Sequence, residues 1–366
     1  MNTSLTPQKK KVDFRFVIPL LALLVVLAAI VFFTSITKVI SISGDDDFFI
    51  LKPGQIRVGI LYIEKGASAV LQKGSHWIGP IISKEGSVTV EDNVSITGPV
   101  VLFSNGLQLG ENATVYGSVY IFAGDMRLEP GAKVSRNAVL FAGPLSLQTG
   151  ASIRHNAVLF AGDLFLGEES SIHGNTTLFA GAMHLGEKAL VEGNTVLFAG
   201  DMHIGSEAMA RGKLISFAGG LDMAPKAVLH DDAILFYGNV HMDPETQVRG
   251  DVILTEGDAT LDGCATVYGK VYLNSASETG GGNLFQSSEA QITRGVEKSE
   301  NIEAAASWRI GKMVLGSFLM TILLIVGALV LLMALMFYLG GRSQMKRQKR
   351  EIKSRPPETN PQPEML

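Results

Sequence analysis

The sequence predicts an all-β protein, a right-handed parallel β-helix (solenoid) of about ten to eleven coils, flanked by two transmembrane α-helices. Two observations predict the solenoid: a phenylalanine column and a column of paired apolar residues, both of which recur at every nineteenth position. A third observation predicts the membrane segments, because two long uncharged apolar runs lie outside the periodic part.

The phenylalanine column is the clearest sign of the repeat, because a constant period over eight copies predicts a repeat array. Its members are Phe103, Phe122, Phe141, Phe160, Phe179, Phe198, Phe217 and Phe236. Glycine follows the same period at Gly79, Gly98, Gly117, Gly174, Gly193, Gly212, Gly250 and Gly269, with Arg136, His155 and Asp231 as exceptions.

One repeat, from Ala157 to Asn175, contains short alternating apolar runs separated by Gly, Asn and Asp. This pattern is typical of strands and turns. A unit of this length is too short to have a core of its own, so it suits one coil of a solenoid. The period is not a multiple of six, which favours a right-handed helix over a left-handed helix built from hexapeptides.

The inward-facing columns follow from the alternation within one coil. We expect these side chains to point into the core: Ala157, Leu159, Ala161, Leu164, Leu166, Ser170 and Ile172. An alanine two residues before a branched apolar residue, as in Ala151 and Ile153, predicts a corner where the core is narrow.

Two uncharged apolar runs, Phe16–Thr37 and Met313–Gly341, flank the periodic part. At about 1.5 Å per residue, either run is long enough to cross a hydrocarbon core of roughly 30 Å as a helix. A cleaved signal peptide is the alternative for the first run. Lysine and arginine precede the first run and follow the second, which predicts that both termini are cytoplasmic and the solenoid is not. The predicted segments are a basic N-terminus (1–15), a first span (16–37), a lead-in and cap (38–68), the solenoid (69–274), a polar linker (275–307), a second span (308–341) and a basic, Pro-rich tail (342–366).

The sequence contains little that predicts chemistry. His184 and His203 fall in one outward column, one coil apart, but no third ligand is in register with them, so we expect no metal site. Aspartate recurs at a turn in Asp125, Asp163, Asp201 and Asp258, where it normally accepts a local backbone hydrogen bond. No coil concentrates acidic and basic residues, so we expect no catalytic residues, no cofactor and no nucleic-acid partner. The single cysteine, Cys264, excludes an internal disulfide.

The phenylalanine column has two interpretations. Strict alternation that sends Leu159 inward sends Phe160 outward, and eight outward rings would form an apolar association stripe. The bilayer, the linker or a second copy of the chain could cover such a stripe. A bulge or corner that turns the rings into the core is the alternative.

The coil Leu185-Gly186-Glu187-Lys188-Ala189-Leu190-Val191-Glu192-Gly193-Asn194 resembles the bactofilins, the polymer-forming cytoskeletal proteins of bacteria. The resemblance covers residues 69–274 and implies a right-handed β-helix that assembles end to end without nucleotide and associates with membranes. Two departures from the family are the length of the array and its two flanking spans.

The predicted function is therefore a membrane-anchored, self-assembling scaffold of the bacterial cell envelope, linked to cell shape and located in the inner (plasma) membrane. Its expected partners are membrane lipid, further copies of the chain, and an envelope or membrane protein. The alternatives are a β-helical envelope enzyme that acts on polysaccharide, and an accessory subunit of a membrane complex.

Overall fold

The computed structural model describes residues 39–44, 47–275 and 282–299, together with Ile302 and Ile322. Successive strands enter three sheets in rotation, and all their pairings are parallel. Each coil thus contributes one strand to each sheet, and the described chain forms a parallel β-solenoid. The predicted all-β repeat fold with its 19-residue period is confirmed.

The first sheet has 14 strands: β1 (Val39–Ile42), β4 (Ile60–Ile63), β7 (Ile81–Ser83), β10 (Val100–Leu102), β13 (Val119–Ile121), β16 (Ala138–Leu140), β19 (Ala157–Leu159), β22 (Thr176–Leu178), β25 (Thr195–Leu197), β28 (Leu214–Ala218), β31 (Ala233–Tyr237), β34 (Val252–Glu256), β37 (Val271–Asn274) and β40 (Val296–Ser299).

The second sheet has 13 strands: β2 (Phe48–Leu51), β5 (Ser68–Leu71), β8 (Ser87–Val90), β11 (Leu107–Leu109), β14 (Met126–Leu128), β17 (Leu145–Leu147), β20 (Leu164–Leu166), β23 (Met183–Leu185), β26 (Met202–Ile204), β29 (Leu221–Met223), β32 (Val240–Met242), β35 (Ala259–Leu261) and β38 (Leu284–Gln286).

The third sheet also has 13 strands: β3 (Ile56–Val58), β6 (His76–Ile78), β9 (Ser95–Thr97), β12 (Thr114–Val115), β15 (Lys133–Val134), β18 (Ser152–Ile153), β21 (Ser171–Ile172), β24 (Leu190–Val191), β27 (Met209–Ala210), β30 (Val228–Leu229), β33 (Gln247–Val248), β36 (Thr266–Val267) and β39 (Gln291–Ile292).

The solenoid extends beyond both predicted limits, Ala69 and Asn274. Strands β1 to β4 lie in the predicted lead-in, and β38 to β40 lie in the predicted linker. Paired residues are 20 apart in β2 and β5 and 25 apart in β37 and β40, so the end coils break the 19-residue period. The last coil is also mostly exposed and polar, because it has a neighbouring coil on one side only. The changed period at both ends and the polar last coil explain why the sequence pattern did not predict the end coils.

The core is a continuous apolar column inside the three sheets, and most of the predicted inward residues line it. Ala157, Leu159, Leu164 and Ile172 are fully buried there. The prediction that Ala161 points inward is wrong, because its side chain is exposed. Strand β19 ends at Leu159 and the chain bends through residues 160–162, so the alternation of the strand does not continue to Ala161.

Two neighbouring hydroxyl groups of the inward columns lack a hydrogen-bond partner within the described chain. They belong to Thr176 and Thr195, which lie opposite each other in β22 and β25, in the same inward column as Ala157. A buried hydroxyl without a partner costs free energy because it has lost its hydrogen bonds to water.

We therefore expect Thr176→Val and Thr195→Val each to raise the free energy of unfolding, by about 1 kcal/mol. Denaturant titration of the full-length protein in detergent measures the change. Thr246→Val is the matched control, because the buried Thr246 hydroxyl donates to the carbonyl oxygen of Asp243 at 2.7 Å. That variant should lose stability, and the same sign in all three variants would contradict the interpretation.

Both predicted membrane spans, 16–37 and 308–341, lie outside the described residues apart from Ile322. The described part of the chain contains no helix that is long and apolar enough to cross a membrane.

Candidate association face and neighbouring side-chain columns

The eight phenylalanine rings of the predicted stripe form one stacked ladder along the solenoid. Consecutive ring centroids are 4.6 to 5.0 Å apart, and the ring planes differ by at most 7°. This spacing matches the distance of about 4.8 Å between neighbouring strands, because each ring occupies the same position in its own coil. We call this set of rings the aromatic ladder.

The aromatic ladder lies on the outer surface of the first sheet. None of its rings belongs to the core inside the solenoid, and all are half-buried. Phe217 and Phe236 instead pack with Ile215 and Ile234, whose side chains point away from that core. At the other end of the ladder, Phe103 packs with the outward residue Val101 in the same way. The rings therefore point outward, and the interpretation that turns them into the core is wrong.

A second outward column runs beside the ladder and is more deeply buried. It contains Val139, Val158, Thr177, Val196, Ile215, Ile234 and Ile253. Val158, for example, has an exposed fraction of 3%, although both of its neighbours in β19 point into the core. The outer surface of the first sheet is therefore apolar over two adjacent columns, which we call the outer face.

A column of polar side chains borders the outer face and ties successive coils together. The side-chain oxygens of Asn137, Asn156 and Asn175 each accept a hydrogen bond from the backbone N–H one coil later, at 2.8 to 3.1 Å. Further along the column, Lys213 donates to Asp232 and lies 3.3 Å from a carboxylate oxygen of Asp231. Partial burial lowers the pKa of Lys213, but the hydrogen bonds and charges of the two aspartates outweigh it, so its pKa is raised above the usual value.

The aspartates of the predicted turn column also connect coils. Asp163 accepts a hydrogen bond from the backbone N–H of Ala182 at 2.8 Å, and Asp201 accepts one from Gly220 at 2.7 Å. Both carboxylates accept a backbone hydrogen bond, but the expectation that this bond is local is wrong, because the donor belongs to the next coil and not to the same turn. These carboxylates therefore serve the stacking of the coils.

A histidine column lies on the outer surface of the second sheet. His184 and His203 are in register on neighbouring strands as predicted, with ring centroids 6.3 Å apart. Phe165 stacks on His184 at 5.0 Å, and His203 Nδ1 lies 2.8 Å from a carboxylate oxygen of Asp222. Each histidine of the pair therefore contacts a further side chain, His184 the ring of Phe165 and His203 the carboxylate of Asp222.

A group that sequence reasoning missed lies further along the same sheet. His241 Nε2 is 3.2 Å from Asp243 Oδ1 and 3.8 Å from Asp262 Oδ2, so the three residues could hold a divalent cation through one nitrogen and two oxygens. Asp243 and Asp262 occupy equivalent positions in successive coils, and His241 comes shortly before Asp243 in the same coil. This spacing was the available signal, because it places the three side chains on one surface of adjacent coils.

Comparison with protein-family models, with curated proteins and with solved structures found no match to this chain.

Proposed function

We propose that the chain is a membrane-anchored scaffold protein of the bacterial cell envelope, similar to the bactofilins, and that it acts through its shape and surface without catalysis. The observation that carries the proposal is the unbroken in-register stacking of equivalent coils, with one apolar outer face along the rod. A surface repeated in eight successive coils suits lateral or end-to-end assembly better than the recognition of one small substrate.

The carboxylates support a structural role over the enzyme alternative. Asp163 and Asp201 accept backbone N–H groups of the next coil, so part of their hydrogen-bonding capacity is committed to stacking. Hydrolysis of a polysaccharide would need two carboxyl groups placed on either side of a sugar linkage. We further propose a right-handed solenoid, since connections between parallel strands of one sheet are nearly always right-handed.

The proposed topology has both termini in the cytoplasm, with the two apolar runs as spans and the solenoid outside. A periplasmic reporter inserted between Ser275 and Gly282 should be active, because the proposed topology puts the solenoid outside the cytoplasm. This insertion point lies between β37 and β38, where the last coil is longer than the 19-residue period. The same reporter fused to the C-terminus should be inactive there and active in a cytoplasmic version. The reverse pattern would place the solenoid in the cytoplasm and would favour a cytoskeletal filament.

The proposed assembly face is the aromatic ladder, through which two copies of the chain would associate laterally. We expect the triple variant Phe141→Ser, Phe160→Ser, Phe179→Ser to lose self-association, because it removes three apolar rings from the centre of the face. Cross-linking of the full-length protein in native membranes measures association. The triple variant should also lose stability, by about 0.5 to 1.5 kcal/mol for each stacked ring pair removed.

The matched control places serine at the next residue of the same three coils, as Ala142→Ser, Ala161→Ser and Ala180→Ser. These side chains are exposed beside the ladder and carry no ring. The control should associate normally. Equal association of both variants, with circular dichroism unchanged, would show that the ladder is not the assembly face.

A further inference from the structure

The C-terminal end of the outer face carries a residue from beyond the solenoid. Ile302 is helical, is only 2% exposed, and clusters with Ile215, Ile234 and Ile253. The strand neighbours of Ile253, Val252 and Leu254, belong to the core inside the solenoid. Ile253 itself therefore points outward, and the cluster forms a second apolar layer on the outside of the first sheet.

Chain connectivity makes an intramolecular contact easy. The last strand, β40, ends at Ser299, shortly before Ile302, and β40 pairs with β37 at the edge of this same sheet. The chain therefore leaves the solenoid beside the outer face. A second copy would have to bring its own Ile302 to a place that the first copy already reaches.

The sequence after Ile302 fits the same face. Ile302, Ala306 and Ile310 follow one another at a spacing of four, which places them on one side of a helix. A helix over residues 302–312 would be about 16 Å long. The coils from Tyr272, which packs against the cluster, back to Ile215 cover about 14 Å at the strand spacing of a sheet.

We propose that the segment from Ile302 to Lys312 docks as a helix on the outer face of its own solenoid, over the coils of Ile253, Ile234 and Ile215. The docked segment ends directly before Met313, the first residue of the second apolar run, so the proposal shortens the predicted second span of 308–341 to that uncharged run. It would therefore fix the direction in which that run leaves the rod. The docking does not depend on the proposed function, whereas this consequence for orientation at the membrane rests on it.

Cysteine cross-linking in the full-length protein tests the docking. In a Cys264→Ser background, Ile302→Cys paired with Ile253→Cys or Ile234→Cys should form an intramolecular cross-link with a short bismaleimide. The control pair, Ile302→Cys with Val158→Cys, should not, because Val158 lies five coils away from Ile253, at about 24 Å. Failure of both test pairs, or a cross-link only between two chains, would overturn the proposal.

A labelling experiment covers the case in which paired cysteines disturb the contact. Maleimide labelling of a single Ile253→Cys should become about tenfold faster or more when Ile302→Asp is added, since a charge at Ile302 opposes its burial. Val296→Asp is the control, because Val296 is exposed and lies in the same last coil. An equal labelling rate with and without Ile302→Asp would contradict docking. This result is independent of the reporter and assembly experiments.

Discussion

Replacement of Gly181 by valine is expected to prevent the solenoid from folding. Gly181 has a φ angle of +140°, and a Cβ on it would lie 2.2 Å from the carbonyl oxygen of Gly162 in the preceding coil. The clash is with backbone, so it cannot be relieved by moving a side chain. Because the preceding coil is held by its own neighbours, we expect a loss of about 4 kcal/mol or more in the free energy of unfolding.

The matched control for Gly181→Val is Gly150→Lys. Gly150 also has a positive φ, +65°, but nothing lies within 4 Å of the Cβ position. The equivalent residues two coils and one coil later are Lys188 and Glu169, with φ angles of +56° and +55°. Lysine at position 150 should therefore cost only about 1 kcal/mol. Thermal unfolding followed by circular dichroism distinguishes the two variants, and similar losses in both would contradict the backbone clash.

Leu164→Asp is expected to be the other severe substitution. Leu164 is fully buried between the equivalent residues of the neighbouring coils, Leu145 and Met183. A carboxylate at this position would be surrounded by apolar side chains and would lack a partner. We expect a loss of more than about 4 kcal/mol, seen as a lack of soluble, cooperatively unfolding protein.

Phe165→Asp tests the same alternation from the opposite side. Phe165 is the next residue of β20, its side chain is 40% exposed, and its ring stacks on His184. Because it points outward, aspartate here should change the free energy of unfolding by no more than about 1 kcal/mol. If Phe165→Asp is as damaging as Leu164→Asp, then β20 does not have one inward and one outward surface.

The interior of the fold could be predicted from the sequence because every interior coil has the same length. Paired residues are 19 apart from Ser68 and Ser87 through Val252 and Val271, so each column repeats at one fixed spacing. The end coils could not be predicted in this way. Their paired residues are further apart in the sequence than those of the interior, at 20 residues in β2 and β5 and 25 in β37 and β40.

The turn after β19 is where alternation no longer predicted which side chains point inward. Alternation places Phe160 outside the core, as the structure does, but it also places Ala161 inward, and the Ala161 side chain is exposed. The bend at residues 160–162 separates these side chains from the regular strand, and Gly162 closes it with a φ angle of +140°. Period-two reasoning holds only within a strand, and β19 is very short.

For a related reason, the sequence predicted the aromatic ladder but did not predict the His241 group or the contact of Ile302. The aromatic ladder was visible because one residue type occupies one column. His241, Asp243 and Asp262 come from two columns and two coils, so no single column contains the group. Ile302 could not be placed from the pattern at all, because its contact depends on where the chain leaves the last coil.

Because the interior coils keep a constant register, the length of the rod can change in steps of one whole coil. Adding or removing one whole interior coil leaves every remaining pairing in register, and it changes the distance between the two ends by about 4.8 Å. Tandem duplication of one coding unit would thus lengthen the rod in equal steps and leave its end coils unchanged. The distance between the two ends of the solenoid is therefore set by the number of its interior coils.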